Sequence, residues 1–266
     1  TRAWHWLAEG WDVVQGRCVI SNAENTIVTR NCAVDFETMY GINHPGRAVL
    51  HQFAIFGGSN GYWKTQVLKE IRFSPLMLTE DIDATMRALI KGYTFKMDAA
   101  LISEELAPET FSGFWKQRIR WAQGWFQITL KRTWEALRSP RLSVRQKWGV
   151  VQLLPWNNVY ASLSLQIFPL FFWWIFAHGL EHVMHLIPIF VATTLLTFSA
   201  GPFLAVRTYL FATPKIKRHK WWFVIYFFVS FIVFAEMKNL IVRVAQLKEF
   251  MRETTWNITP RSRKES

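Results

Sequence analysis

One stretch of the chain, residues 111–134, carries side chains suited to binding a charged, sugar-like ligand. Within it, Gln117, Arg120 and Trp121 stand at positions i, i+3 and i+4, so a helix would present them on one face. A guanidinium binds phosphate oxygens in a bidentate fork, and an indole stacks on the C–H face of a pyranose. The stretch also fits a second interpretation, a basic amphipathic helix lying on a membrane with Trp at the interface.

Three carboxylates upstream crowd the predicted start of another helix, which has Thr79 at its N-cap: Glu80, Asp81 and Asp83. Acidic residues favour this position through the helix dipole alone, which is the structural interpretation. The functional interpretation is a general base, because a carboxylate at a helix N-terminus stays ionised at neutral pH and can accept a proton from a hydroxyl. We expect low basicity to limit such a base to reactions whose leaving group departs easily.

A glycine-rich turn precedes these carboxylates. The run Gly57-Gly58-Ser59-Asn60-Gly61 follows an apolar segment, residues 53–56, and leads into a predicted helix. Small residues let backbone N–H groups approach a ligand closely, although such a run is also common in an ordinary turn. The turn by itself therefore leaves a ligand site and a plain reversal of the chain both open.

The elements that must position these residues alternate between strand and helix, as in a charged α/β domain. The patterns predict helices over residues 1–10, 31–40 and 79–92, strands over 11–20, 53–56, 93–97 and 101–106, and a loop over 44–47. Pro108 is predicted to lie in the first turn of the helix that carries Gln117. The chain opens at Thr1 on a helix, without an initiator Met or a signal peptide. We therefore expect the C-terminal part of a longer protein.

Composition indicates both a soluble part and a membrane part. The chain has 266 residues, a formal net charge of +12 and 51% hydrophobic residues. No nucleic-acid-binding signature accompanies the charge, so an anionic membrane surface is the favoured partner of the basic residues, with substrate phosphate second. Cys18 and Cys32 lack neighbours at metal-ligand spacing, which predicts free thiols facing the cytosol.

Three uncharged runs follow the soluble part, over residues 149–177, 186–206 and 221–235. The first two are long enough to span a bilayer, and the first is expected to divide near Pro155. The basic loop 207–220 predicts an integral, multi-pass membrane protein with its catalytic part in the cytosol. The third run is short for a span, and the basic tail is expected to be cytosolic. The predicted divisions are a partial cytosolic domain over 1–138, a basic interfacial linker over 139–148, a membrane region over 149–252 and a basic tail over 253–266.

Three features follow one another before the apolar runs: the glycine turn, then Thr79-Glu80-Asp81, then Gln117-Arg118-Ile119-Arg120-Trp121. In this order they resemble the membrane-embedded family 2 glycosyltransferases, the group of cellulose, chitin and hyaluronan synthases. The resemblance covers roughly residues 12–261 and includes a tail like those of some relatives. It implies an α/β fold, the C-terminal part of a GT-A-like glycosyltransferase domain, followed by α-helical transmembrane segments.

The activity that the resemblance implies is an inverting transfer from a nucleotide sugar to a saccharide or lipid acceptor. Asp81 would be the general base and Trp121 would stack on the acceptor sugar. Gln117 and Arg120 would lie near the donor diphosphate, where Arg helps to stabilise the leaving group. The resemblance places four further residues in substrate binding: Glu80, Gly58, Ser59 and Asn60.

The chain departs from the family at its metal site. Relatives bind Mg2+ or Mn2+ through an Asp-x-Asp motif in an N-terminal half, and no residues upstream of Asp12 can supply it. The one such pattern here, Asp81-Ile82-Asp83, lies in a helix first turn and is not that motif. The chain alone is therefore expected to be inactive. Three alternatives stay open for the whole protein: a processive polysaccharide synthase, a non-processive transferase to a lipid, and an inactive protein docked on a membrane.

Overall fold

The structure is a computed structural model that describes residues 2–164, 167–179, 203–229 and 235–253, with the isolated positions 181, 184, 188 and 191. Its centre is a three-stranded sheet in the order β2-β1-β3. The strands are β1 (Val13–Ile20), β2 (Gly61–Trp63) and β3 (Phe95–Glu105). Central β1 pairs antiparallel with β2 and parallel with β3, and every one of its residues is buried. The predicted α/β class is confirmed.

Two strand predictions need correction. Residues 53–56 form no strand, although Phe53, Ala54 and Ile55 are almost fully buried. Their apolar character reflects packing in the core cluster around α5 (Glu80–Ile90) and not sheet pairing. The two strands predicted over 93–106 are one strand, β3, whose register against β1 shifts between Gly16 and Arg17.

The N-terminal part of the chain supplies four helices that pack around the sheet. They are α1 (Arg2–Ala8), α2 (Ile27–Thr38), a π-helix (Met39–Asn43) and α3 (His44–His51). A capping box between Thr26 and Thr29 starts α2 four residues before the predicted position. The loop predicted over 44–47 is wrong, because the helix continues through the π-turn and Pro45 lies in the first turn of α3, where proline is tolerated.

Two further helices frame the candidate site. After α4 (Thr65–Ile71) and α5, the long helix α6 (Phe111–Arg138) crosses the core and packs on α5. Thr110 caps α6, and its hydroxyl accepts a hydrogen bond from the Gly113 N–H at 3.1 Å. Pro108 therefore lies just before the helix and not in its first turn.

The described parts of the C-terminal region are mostly helical. Its elements are α7 (Val144–Val151), a second π-helix (Gln152–Trp156), α8 (Asn157–Ser164), α9 (Ile167–His178), α10 (Pro214–Lys217), α11 (Lys220–Val229) and α12 (Ala235–Phe250), and residues 203–211 are also helical. Pro155 lies inside the second π-helix, where the first apolar run was predicted to divide.

No helix among the described residues has both the length and the apolar character needed to cross a membrane. Much of the apolar run predicted over 186–206, and residues 230–234 of the third run, lie outside the described residues.

Buried ion pairs join this C-terminal region to the α/β part. The Asp35 carboxylate pairs with Arg118 of α6 at 2.8 Å and with Lys238 of α12 at 3.2 Å. Glu37 pairs with Arg17 of β1 and accepts the backbone N–H of Thr213 at 3.0 Å. The two acidic residues of α2 thus link the sheet to helices far along the chain.

Candidate active site

The Asp81 carboxylate lies in the first turn of α5, directly against the glycine turn. One of its oxygens accepts the backbone N–H of Ile82 at 2.8 Å. Gly58 has a φ of +86°, and a Cβ placed there would lie 2.8 Å from the other carboxylate oxygen. Only glycine suits both the backbone conformation and the close approach. The turn and the predicted base are therefore one local unit.

Burial makes Asp81 more basic than its position at a helix start predicts. Desolvation raises the pKa of its carboxyl from 3.8 to about 6; the hydrogen bond from Ile82 opposes this rise, neighbouring Glu80 adds to it, and Arg120 opposes it. The expected low basicity is wrong, because the cost of burying the charge outweighs the favourable contacts at the helix start. Asp81 remains mostly ionised at neutral pH, as predicted.

Thr79 occupies the N-cap position of α5 but does not cap it through its side chain. Its hydroxyl is buried and has no hydrogen-bond partner in the part of the chain that the structure describes. Gly124 of α6 packs directly on this side chain, where any Cβ would collide with the hydroxyl. Close packing of the two helices has displaced the predicted capping bond.

Arg120 connects α6 to the segment that leads into α5. Its guanidinium donates a hydrogen bond to the Leu78 carbonyl oxygen at 3.0 Å and lowers the pKa of Asp81 electrostatically. Gln117, one turn earlier, is buried. The structure thus brings Arg120 close to Asp81, although the two residues are distant in sequence.

Gln117, Arg120 and Trp121 were predicted to share one face, but Arg120 and Trp121 line two different cavities. Arg120 lines a cavity of about 280 Å³ together with Lys116 and Lys248. Trp121 lines a second cavity, of about 400 Å³, between α6, α8 and α12. The Arg118 guanidinium lies over the Trp121 ring, 4.5 Å from its centroid. A sugar could therefore stack only on the other ring face.

The side chains of Ser59 and Asn60 hold the turn onto the sheet. The Asn60 amide donates to the carbonyl oxygens of Arg17 at 3.0 Å and Leu101 at 2.9 Å. The Ser59 hydroxyl donates to the Glu105 carboxylate and lies 3.1 Å from the Cys18 sulfur. Both residues therefore position Gly58, and direct contact with an acceptor stays a prediction for them.

Sequence reasoning missed the residues that surround Ser59. Tyr40, Cys18 and Glu105 meet behind the turn, and burial followed by the Cys18 and Glu105 charges raises the pKa of the Tyr40 hydroxyl well above its usual range. Burial and Glu105 raise the pKa of the Cys18 thiol to about 12, so this free, buried cysteine stays protonated. No local motif marks this cluster, because the first π-helix, β1 and β3 supply one residue each.

Asp83 is structural. Its carboxylate is fully buried, and its two oxygens are bound by Arg87 at 2.7 Å and by Arg132 at 2.8 Å. Both oxygens are therefore engaged by guanidinium groups. In residues 2–253, apart from the gaps given above, no three His, Cys, Asp or Glu side chains are grouped to hold a metal ion. These residues do not fit the divalent cation that the family resemblance implies.

Comparison with known proteins identifies a matching family and similar sequences. Residues 2–235 match the family described as Glycosyl transferase family group 2. A poly-beta-1,6-N-acetyl-D-glucosamine synthase of Staphylococcus epidermidis is 34% identical over 84 residues, which is 32% of this chain and 18% of that protein. The synthase of the same name from Staphylococcus aureus strain COL is 35% identical over 81 residues, covering 30% of this chain and 17% of its own length.

Among solved structures, a mannosyltransferase from Pyrobaculum calidifontis in complex with GDP-Man and Mn2+ superposes with a TM-score of 0.47 at 17% sequence identity. The match covers 94% of this chain and 57% of that one.

Proposed function

Because this chain belongs to glycosyl transferase family group 2, we propose that it forms the acceptor side of an inverting glycosyltransferase that extends a polysaccharide from a nucleotide-sugar donor at a membrane. The observation that carries the proposal is the Asp81 carboxylate, whose pKa burial raises to about 6, lying against Gly58 and near Arg120. A general base works best when its pKa lies near the operating pH.

Asp81 takes the proton from the acceptor hydroxyl as its oxygen attacks the anomeric carbon of the donor sugar. The new C–O bond forms on the face opposite the breaking bond to the diphosphate, so the configuration inverts and the nucleoside diphosphate carries away the electron pair. With a pKa of about 6, about nine in ten Asp81 side chains are ionised at pH 7. The base is thus available and still basic enough to accept the proton.

Arg120 supports the leaving group in this scheme. It lines the cavity of about 280 Å³ together with Lys116, Lys248 and Glu253; the Glu253 carboxylate pairs with Lys248 at 2.6 Å, so the lining keeps a net positive charge. Fixed positive charge near a developing diphosphate lowers the barrier without reorganisation during the reaction. A divalent cation would add charge neutralisation when bound, but we assign no step to it, because the described residues do not fit one.

The membrane part of the proposal is supported by exposed aromatic side chains in the C-terminal helices. Phe176 is 91% exposed, Trp221 is 75% exposed, and Phe172 and Trp173 are also exposed. Large exposed apolar side chains in such numbers favour a lipid or protein environment over water. We propose a multi-pass membrane protein with its transferase part in the cytosol, joined by a basic linker over 139–148.

The relatives favour a polymer as product. The two staphylococcal proteins are named as synthases of a β-1,6-linked N-acetylglucosamine polymer, which makes an N-acetylglucosamine nucleotide the first donor to test. A single transfer to a lipid acceptor is the second candidate, and sizing of the radiolabelled product separates the two. Long polymer excludes the lipid acceptor, and a product with one added sugar excludes the polymer.

The test is sugar transfer by the full-length protein in membranes, supplied with a panel of radiolabelled nucleotide sugars. Asp81→Asn should abolish transfer and leave donor binding largely intact, because the amide cannot accept the proton. Glu135→Gln, which removes an exposed carboxylate from α6, is the matched control and should transfer normally. Transfer by Asp81→Asn at a rate near that of the wild type would show that Asp81 is not the base.

A further inference from the structure

The cavity beside Trp121 has polar and aromatic walls, and most of its lining residues have no role in the scheme built on Asp81 and Arg120. It has a volume of about 400 Å³, close to the lower end of the range of about 300–1,000 Å³ typical of small-ligand sites. Its lining includes Arg47 from α3, Trp121 and Trp125 from α6, and Asn157 and Tyr160 from α8. Lys238 from α12 and one residue from each π-helix complete the wall, so six separate elements meet here.

The cationic groups in this cavity are not all balanced by acidic ones. Arg118 and Lys238 both pair with the one carboxylate of Asp35, at 2.8 and 3.2 Å. Arg47 lines the same cavity, and burial alone, with no carboxylate among the causes, sets the direction of its pKa shift. The nearby His44 does not add an acidic group, and burial followed by the charge of Arg47 lowers the pKa of its imidazole to about 3. The cavity therefore has excess positive charge.

Arg47 is partly buried in the cavity wall, where desolvation removes part of the water around its guanidinium without putting a charged partner in its place. Burial lowers the pKa of Arg47, yet a guanidinium keeps its proton in proteins. Such a group is stabilised by an anion that reaches it from outside the chain. Its planar fork matches a carboxylate, which accepts two parallel hydrogen bonds.

The remaining lining selects what carries that carboxylate. The Trp121 and Trp125 rings offer flat apolar area of the kind that packs on a pyranose. The Tyr160 hydroxyl and the Asn157 amide offer hydrogen-bonding groups for sugar hydroxyls. We infer that this cavity binds an acidic saccharide, with Arg47 holding the carboxylate of a uronate residue and the tryptophan rings packing on its pyranose. The inference rests on the proposed function only in regarding this saccharide as the acceptor.

A pair of ligands that differ only at C6 tests the inference. Tetra-β-1,4-glucuronate carries a carboxylate on each sugar, and cellotetraose carries a primary alcohol at the same position. Equilibrium binding of each to the full-length protein is measured by calorimetry, without any donor. We expect the glucuronate to bind at least about tenfold more tightly than cellotetraose, because a charge-assisted bidentate contact adds about this much affinity.

Variants of Arg47 assign the preference to its side chain. Arg47→Gln should abolish the preference for glucuronate and leave the affinity for cellotetraose unchanged, which also shows that the cavity has kept its shape. Arg47→Lys should retain part of the preference, because it keeps the charge and loses the fork. Arg138→Gln removes an exposed guanidinium at the end of α6, outside the cavity, and should change nothing.

Three results would overturn the inference. The first is equal affinity of the wild type for the two tetrasaccharides, which decides the matter even if Arg47→Gln does not fold. The second is a preference for glucuronate that survives Arg47→Gln. The third is Arg47-dependent binding of farnesyl phosphate without binding of glucuronate, which would assign the cavity to a lipid phosphate. These experiments measure binding and not transfer, so their results can be interpreted even if the protein does not have the proposed transferase activity.

Discussion

Asp81→Asn should stabilise the folded chain while it abolishes transfer. The carboxyl has a pKa of about 6 in the folded chain against an ordinary value of 3.8, so the folded state binds this proton more tightly than the unfolded state does. Ionisation therefore costs the folded state about two pKa units, or about 3 kcal/mol. The cost is absent below about pH 4, where both states are protonated, and complete above about pH 6. Asparagine keeps an oxygen for the Ile82 N–H and carries no charge.

The assay is urea unfolding of the full-length protein, followed by tryptophan fluorescence at about pH 4 and about pH 8. Asp81→Asn should raise the free energy of unfolding by about 2–3 kcal/mol at the higher pH and leave it unchanged at the lower pH. Asp83→Asn is the matched control on the same helix. It leaves Arg87 and Arg132 without their carboxylate, so it should lower the stability by about 3–5 kcal/mol. A gain for Asp81→Asn that does not change with pH, or no gain at all, would refute the argument from burial.

Two further predictions concern the contacts around this base. Gly58→Ala should lower stability by about 1–3 kcal/mol and should also lower transfer, because its Cβ would press on Asp81. Gly46→Ala is the control. Its position has open space and lies in a helix, so the same unfolding assay should show unchanged or increased stability. Thr79→Val should unfold at the same or a higher urea concentration, since the buried hydroxyl that it removes has no partner in the described structure; a loss above about 1 kcal/mol would reveal a capping role.

Local patterns in the sequence located most of the elements near the site. The acids after Thr79, the stripe of Ile82, Met86 and Leu89, and the break at Gly92 correctly predicted α5. These signals depend on neighbours within one or two turns, so they can be read without the fold. The same reasoning failed for residues 44–47, where Pro and Gly indicated a loop, because a π-turn carries the helix through them.

The order of three short motifs, with an acidic residue and an arginine–tryptophan pair before apolar runs, was enough to identify the glycosyltransferase family, which the match over residues 2–235 confirms. The residue types therefore predicted the chemistry: a carboxylate for the proton, a guanidinium for the phosphate and an indole for the sugar.

Only the tertiary structure decided how basic Asp81 is and which of its neighbours act with it. Its pKa depends on burial, with Gly58 of the turn lying directly against the carboxylate, and on the opposing charge of Arg120 on α6, and both residues are distant in sequence. The position of Arg47 likewise follows from how α3 packs beside α6 and α12. The sequence specifies which chemical groups are present. How deeply each group is buried and which charges pair with it depend on its neighbours in space, and only the folded chain determines those neighbours.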